Sequence, residues 1–439
     1  MMGALFCLGL LLYAPVVFRG NVAGGPVLAK LLWLIYFGLG ASATVIAVTD
    51  VLRPVFQPNY PAALFLTLCI LIGISGFLGF RARDVGNVIA SIRGQGLIEG
   101  ALIGTQLYAT LFFLPFAISS LIGDANENRL DLSNKMELLG SYGIFNTFAG
   151  AASQLFAASL VMACVRLSQP KGQGRNLLRA CLLIFVSLSY VVYILAYVGR
   201  DGVVYWLMTA LAVFLVFRGH MPAHLRRQIV TLGTAIGVLV MLPFIAITAA
   251  RFVDTDQGSA WSILDYFGSQ INNFGDFSTI DRPLTLGLMN FPMFIGAACS
   301  VTGLTGCENW EDLRVIIFDQ YLAQGKEPWL FGTYVSDFVG DFGYLGTLVL
   351  MSVFALLCHV ASRTQHGRRP MTIARLLLVM FLFLVPYWGV FYFRFSIANG
   401  FIVVNLAFIA FVWLLQKFGS ALPVRSGRIA VPMRPLGHQ

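Results

Sequence analysis

A chain of 439 residues in which 58% are hydrophobic and only 11% charged, with a mean hydropathy of +0.79, is not a soluble globular domain. Nor does its net charge of +9 signal nucleic-acid binding, because the excess is ordered by position: Lys and Arg crowd alternate connections between apolar stretches, while all but Asp84 and Glu99 of the 20 acids lie in or beside the others. That alternation is expected of a chain threaded repeatedly through a cytoplasmic-type membrane, whose inner side retains Lys and Arg.

Crossing roughly 30 Å of hydrocarbon takes about 20 mostly apolar residues. In chain order 11 segments qualify, at 3 to 18, 28 to 48, 61 to 80, 99 to 122, 143 to 165, 180 to 198, 202 to 218, 229 to 250, 332 to 358, 373 to 392 and 400 to 416. The basic connections hold Arg81, Arg83 and Arg93; Arg166, Lys171, Arg175 and Arg179; Arg218, Arg226 and Arg227; Arg363, Arg368, Arg369 and Arg375; and a tail with Lys417, Arg425, Arg428 and Arg434. Placing these inside puts the C-terminus in the cytoplasm and the N-terminus outside. The first apolar segment reads as a helix rather than a signal peptide, since it lacks a basic leading region and a small-residue cleavage site. The expected fold class is an all-α polytopic integral membrane protein, with about 11 transmembrane helices and one large outside loop. Its parts are spans one to eight (1–250), the loop (251–331), the last three spans (332–416) and a basic cytoplasmic tail (417–439).

Two outside segments are longer than the rest, 123–141 and the stretch from Arg251 to Leu330. Within the latter, LTLGLMNFPMFIGAA is too short to span and reads as re-entrant or interfacial. Next, ENWEDLRVIIFDQYLAQGK sets Trp310, Leu313, Ile317 and Tyr321 at helical spacing opposite Glu311, Asp312 and Asp319, which fits an amphipathic helix on the outer leaflet or one packed on the spans. Cys299 and Cys307 share this loop, in a compartment where disulfides persist, and are expected to form a bridge; the other five cysteines lie in apolar spans. No Cys or His cluster has metal-ligand spacing, and all five histidines map to the cytoplasmic side or its membrane edge, so an outward-facing site has no histidine base.

What remains outside is a set of arginines and carboxylates near membrane depth, where ionisable groups default to a functional hypothesis. Arg200 stands in the tight GRDG turn, Arg251 closes the eighth span, Arg282 and Arg314 lie in the long loop, and Arg394 follows the tenth span in FYFRFSIANG. Arg in preference to Lys suits bidentate recognition of phosphate or carboxylate, although each Arg singly also fits a lipid-headgroup contact or an ion pair such as Arg200 with Asp201. Asp337 and Asp341 stand four apart on one helix face, while Asp276 and Asp281 lie in SQINNFGDFSTIDRP. Each of these is a candidate general base for a hydroxyl nucleophile. Asp337 also suits a helix N-terminus.

The run PWLFGTYVSDFVGDFGYLG (328–346), directly after the long loop, resembles the GT…F…DFG segment of Wzy-type O-antigen polymerases, the oligosaccharide repeat unit polymerases, which are GT-C-like glycosyltransferases. GRDGVVYW (199–206) is similar to that family's turn arginine ahead of a span, and YFGSQINNFGDF (266–277) to its tyrosine-led stretch. The likeness covers most of the second half of the chain. It implies a place in the bacterial inner membrane with the large outside loop periplasmic, and transfer of a growing glycan from its polyprenyl diphosphate onto a hydroxyl of an incoming lipid-linked unit at the periplasmic face. Arginines would hold the diphosphates, with no cofactor and no metal, and a co-polymerase that regulates chain length is the implied partner. Arg200 matches the turn arginine, and Asp341 and Gly343 the DFG element. O-antigen ligases share the architecture but carry a periplasmic-loop histidine lacking here. Peptidoglycan polymerases of the shape, elongation, division and sporulation group place a glutamate where Asp341 stands. A transporter or flippase for the same lipid-linked glycans is the alternative from another class, and would show discontinuous helices in two corresponding halves.

Overall fold

The computed structural model describes residues 2–19, 25–49, 59–90, 92–122, 138–169, 173–197, 199, 201–251, 259–277, 284–303, 310–325, 332–363, 371–396 and 399–418. They are helical, with no strand among them. In order, the helices are α1 (Met2–Phe18), α2 (Val27–Thr49), α3 (Tyr60–Ser75), α4 (Val85–Ala90), α5 (Gln95–Ile122), α6 (Ile144–Ser153), α7 (Phe156–Ser168), α8 (Gln173–Ser187), α9 (Ser189–Ala196), α10 (Asp201–Phe217), α11 (Ala223–Arg251), α12 (Ser259–Phe277), α13 (Pro292–Thr302), α14 (Trp310–Ala323), α15 (Thr333–Ser362), α16 (Ile373–Trp388) and α17 (Gly400–Phe418). Short 3-10 turns occupy Ala82–Asp84 and Arg394–Ser396.

Among the described residues five helical stretches are long and apolar enough to cross a membrane, or six when α6 and α7, bent by 41°, count as one span. α1, α3, α10 and α16 are equally apolar but have 16 or 17 residues, about 24 Å at 1.5 Å per residue, so they fall short of a full hydrocarbon thickness by themselves. Local chemistry sets several starts. Asn59 caps α3 by accepting from Ala62 N at 3.1 Å, and the Thr372 hydroxyl does the same for α16 through Arg375 N. α15 shows how the helices meet lipid: Leu345, Val349, Val353, Leu356 and Val360 form an exposed apolar stripe, while Thr347, Met351, Ala355 and Cys358 are buried against α3 and α16.

The two charge classes separate along the bundle. At one end the basic connections meet: His220 bonds the Ala82 carbonyl, Ser362 donates to Gly76 O, and Arg375 donates to Ala361 O. Glu99, in the first turns of α5, accepts from Arg166 at 2.6 and 2.8 Å and from Arg179 at 3.5 Å. At the other end Asn59 meets Gly275, Asp201 meets Arg394, and Asp337 meets Phe393.

The main departure from the hydropathy pattern is α12. Residues 259–277 read as loop because Asp265, Gln270, Asn272, Asn273 and Asp276 dilute the apolar signal, yet the structure inserts them as a helix between α1, α2, α3 and α15, with 268–275 buried. Gly268 is what permits it: a Cβ there would lie 2.6 Å from Ala43 N and 2.7 Å from the Ser42 carbonyl carbon, so backbone itself blocks any side chain. Gly268→Val is therefore expected to lower the thermal midpoint of the detergent-solubilised protein by the equivalent of about 1–3 kcal/mol. Gly296→Val, at a position with nothing within 4 Å, should leave it unchanged. Equal midpoints for the two variants would mean that α12 does not pack on α2. α13 is too short to span, as its sequence implies, and in α14 Ile317 and Tyr321 are buried, with the Tyr321 ring 5.3 Å from Phe277.

Candidate functional site

The acid-bearing end of the bundle gathers two linked constellations. The first is built on Arg394, in the turn after α16. Its guanidinium lies 2.8 Å from the Asp201 carboxylate, in the first turn of α10, and bonds the Tyr392 hydroxyl. It sits over the rings of Tyr205 and Tyr392, with centroids at 5.2 and 5.8 Å. Beneath it runs an aromatic stack: Tyr190 on Phe156 at 4.3 Å, Phe156 on Trp388 at 5.7 Å, and Trp388 on Phe395 at 5.8 Å. A cavity of about 50 Å3 adjoins the arginine, lined by Gln154, Tyr190, Tyr193 and Trp388. That holds water but not a diphosphate. Desolvation works against the Arg394 charge, and the Asp201 carboxylate beside it compensates. The side chain of Asp201 is 38% exposed and that of Arg394 14%, so the carboxylate faces outward and shields the cation.

The second constellation is a clamp around Asp341. α15 breaks at Gly343, whose φ of 67° with ψ of −179° is a conformation only glycine adopts without strain. The turn from Leu284 to Phe291 folds onto the break, and Leu286 N donates to the Asp341 carbonyl at 2.9 Å. The buried Asp341 carboxylate accepts from the Thr285 hydroxyl, from Met289 N at 3.3 Å, and from Asn290 N and Nδ2 at 3.0 and 2.6 Å. Asn290 also donates to the Asp337 carbonyl, and its own carbonyl accepts from Asn399 Nδ2 at 2.9 Å. Asp337 closes the circuit by accepting from Phe393 N at 2.5 Å, one residue before Arg394.

Of the residues singled out in the sequence, Arg394, Asp337 and Asp341 are brought together. Asp276 is half-buried in the last turn of α12, beside Asn59 and the start of α3. Arg251 ends α11 and Arg314 lies in α14, their side chains not described; Arg200, Asp281, Arg282 and Cys307 lie outside the described residues. Cys299 is disulfide-bonded, whereas Cys7, Cys69, Cys164, Cys181 and Cys358 are free. Asp201, weighed as a partner for Arg200, pairs with Arg394; its pairing with Arg200 lies outside the described residues. Sequence reasoning passed over Thr285, Asn290 and Asn399, as well as the phenols around Arg394. For Asn399 the one signal was its place in FYFRFSIANG, where a polar side chain follows an arginine at membrane depth. Among the described residues no three His, Cys, Asp or Glu side chains converge as metal ligands.

Comparison of the chain with family models, with curated proteins and with solved structures gives no match.

Proposed function

We propose that the chain is an inner-membrane glycosyltransferase of the Wzy type, with eleven crossings and a cytoplasmic C-terminus, which polymerises polyprenyl-diphosphate-linked oligosaccharide repeats at the periplasmic face. The observation that carries this reading is the Arg394–Asp201 pair: a largely buried cation at membrane depth joins the GRDG turn to the FYFR segment, one residue from the carboxylate that opens the DFG-bearing helix. In the reaction, the acceptor hydroxyl oxygen attacks the anomeric carbon of the donor, the bond from that carbon to the diphosphate oxygen breaks, and the hydroxyl proton passes to a carboxylate. Arg394 exchanges Asp201 for a diphosphate oxygen and stabilises the charge developing on the leaving group, with Arg200, Arg251, Arg282 and Arg314 as further phosphate ligands. Asp337 is the carboxylate positioned beside Arg394; Asp276 and Asp281 are the other candidate bases. Asp341, with its oxygens already engaged by four donors, supports the site rather than taking the proton.

The test is incubation of purified protein with a native polyprenyl-diphosphate-linked repeat unit, followed by product sizing. A ladder of longer lipid-linked glycans is expected; unchanged substrate, with binding demonstrated, would sink the polymerase reading. Arg200→Ala and Arg282→Ala are each expected to abolish the ladder while leaving the protein inserted and monodisperse. Near-normal polymer from both would remove them from the diphosphate clamp. A transporter of the same lipids is the second reading, favoured by the helix breaks at Gln154–Leu155 and at Gly343. Movement of lipid-linked substrate across proteoliposomes without glycosyl transfer would establish it instead.

A further inference from the structure

At the end opposite Arg394, α8 and α11 splay apart and leave an open cleft of about 1040 Å3. Its walls are apolar, with Cys181 and Ile184 on one side and Leu232 on the other, and its polar lining is concentrated at the first turns of α11, where His224, Arg227 and Gln228 stand. From His224 to Ala235, the last lining residue among those described, α11 rises about 16 Å, half the roughly 30 Å of a bilayer's hydrocarbon and so long enough for a lipid of one leaflet. Among the described residues no acid lines the cleft. The two acids near the basic connections are already matched, Glu99 by Arg166 and Arg179 and Asp84 by Arg83 at 3.9 Å. A phosphate at the mouth thus meets an arginine and an imidazole, and the ammonium of a zwitterionic headgroup would find no carboxylate among the lining residues.

We propose that the α8–α11 cleft binds one anionic phospholipid from the leaflet bordering the basic connections, with its phosphate on Arg227 and His224 and its acyl chain along Ile184 and Leu232. This site is separate from the Arg394 constellation and independent of the glycosyltransferase reading. It differs from general lipid contact in being concave, long enough for a lipid of one leaflet, and cationic at its α11 mouth.

Two measurements on the full chain decide it. In native mass spectrometry with equimolar phosphatidylglycerol and phosphatidylcholine, the first retained lipid is expected to be phosphatidylglycerol by about fivefold, the ratio given by about 1 kcal/mol for one arginine at the membrane surface. Arg227→Gln should bring the ratio close to one, and Ala235→Trp, which fills the cleft from an exposed position, should remove the tightly held lipid of either kind. Cys181 supplies a second readout, because it is exposed and lines the cleft, whereas the other described free thiols are buried or partly buried. Its maleimide labelling in nanodiscs should be slower with phosphatidylglycerol than with phosphatidylcholine in the wild type, and equal in Arg227→Gln. Equal retention and equal labelling with both lipids in the wild type would overturn the proposal and leave only annular lipid; should Arg227→Gln fail to fold, the wild-type comparison decides alone.

Discussion

Arg394→Ala is expected to abolish polymer formation while leaving the protein folded in the membrane. The loss should reach 10²–10³-fold or more in transfer rate, the range found when one preorganised donor to a developing charge is removed. Folding is expected to survive because the partner left behind is not sealed in the interior: the Asp201 side chain keeps 38% exposure and can take up water once the guanidinium has gone. Arg394→Lys tests the geometry as distinct from the charge. A single ammonium cannot bond Asp201 and Tyr392 with a planar fork, nor present paired donors to a diphosphate, so rescue should be slight. Asp201→Asn separates function from scaffolding. If the aspartate holds the site closed until substrate arrives, the neutral variant stays folded and inorganic pyrophosphate inhibits it more strongly than it inhibits the wild type. Normal polymer from Arg394→Ala would reduce the pair to a structural tie between α10 and the end of α16.

How much of this was legible beforehand can be traced through particular residues. The all-helical membrane character followed from hydropathy, and the alternation of charge anticipated the separation along the bundle that brings Arg166 and Arg179 together on one side and Asp201, Asp337 and Arg394 on the other. Glu99 shows the limit of that rule. As an acid among basic connections it stood out, but only the fold reveals that two arginines from different helices converge on it, because a charge tally carries no contact partners. α12 was hidden for a different reason: a helix that carries the amides of Gln270, Asn272 and Asn273 into the bundle has the hydropathy of a loop, and its diagnostic residue was a glycine, Gly268, whose meaning depends on Ala43 some 225 positions away. Arg394 was identifiable because an arginine at membrane depth is costly. Its phenolic surroundings were not, since tyrosines are ordinary in such sequences and only α9, α10 and the turn after α16 bring these together.

The four-residue spacing of Asp337 and Asp341 implied one shared helix face, whereas in the structure the Asp337 carboxylate accepts from Phe393 N and that of Asp341 from Thr285 and Asn290; spacing could not say which faces chemistry and which serves the scaffold, and the largest stability effect is expected to follow from that distinction. Asp341→Ala removes the acceptor for Thr285, Met289 and Asn290 at once, leaving buried donors unsatisfied over the glycine break of α15. Stranding the partners of a buried charged group costs about 3–5 kcal/mol, so this variant should show the steepest fall in thermal midpoint and lose polymer together with folded protein. Asp341→Asn keeps the volume but turns an amide NH2 toward donors, so it should be destabilised too, by less. Asp337→Asn should behave in the opposite way. An amide oxygen still accepts from Phe393 N, so the midpoint should change little while transfer falls steeply if this carboxylate takes the acceptor's proton. Thermal scans beside product sizing separate the two outcomes. An Asp341→Asn protein with a wild-type midpoint and no polymer would reverse the assignment and make the residue at the helix break the base.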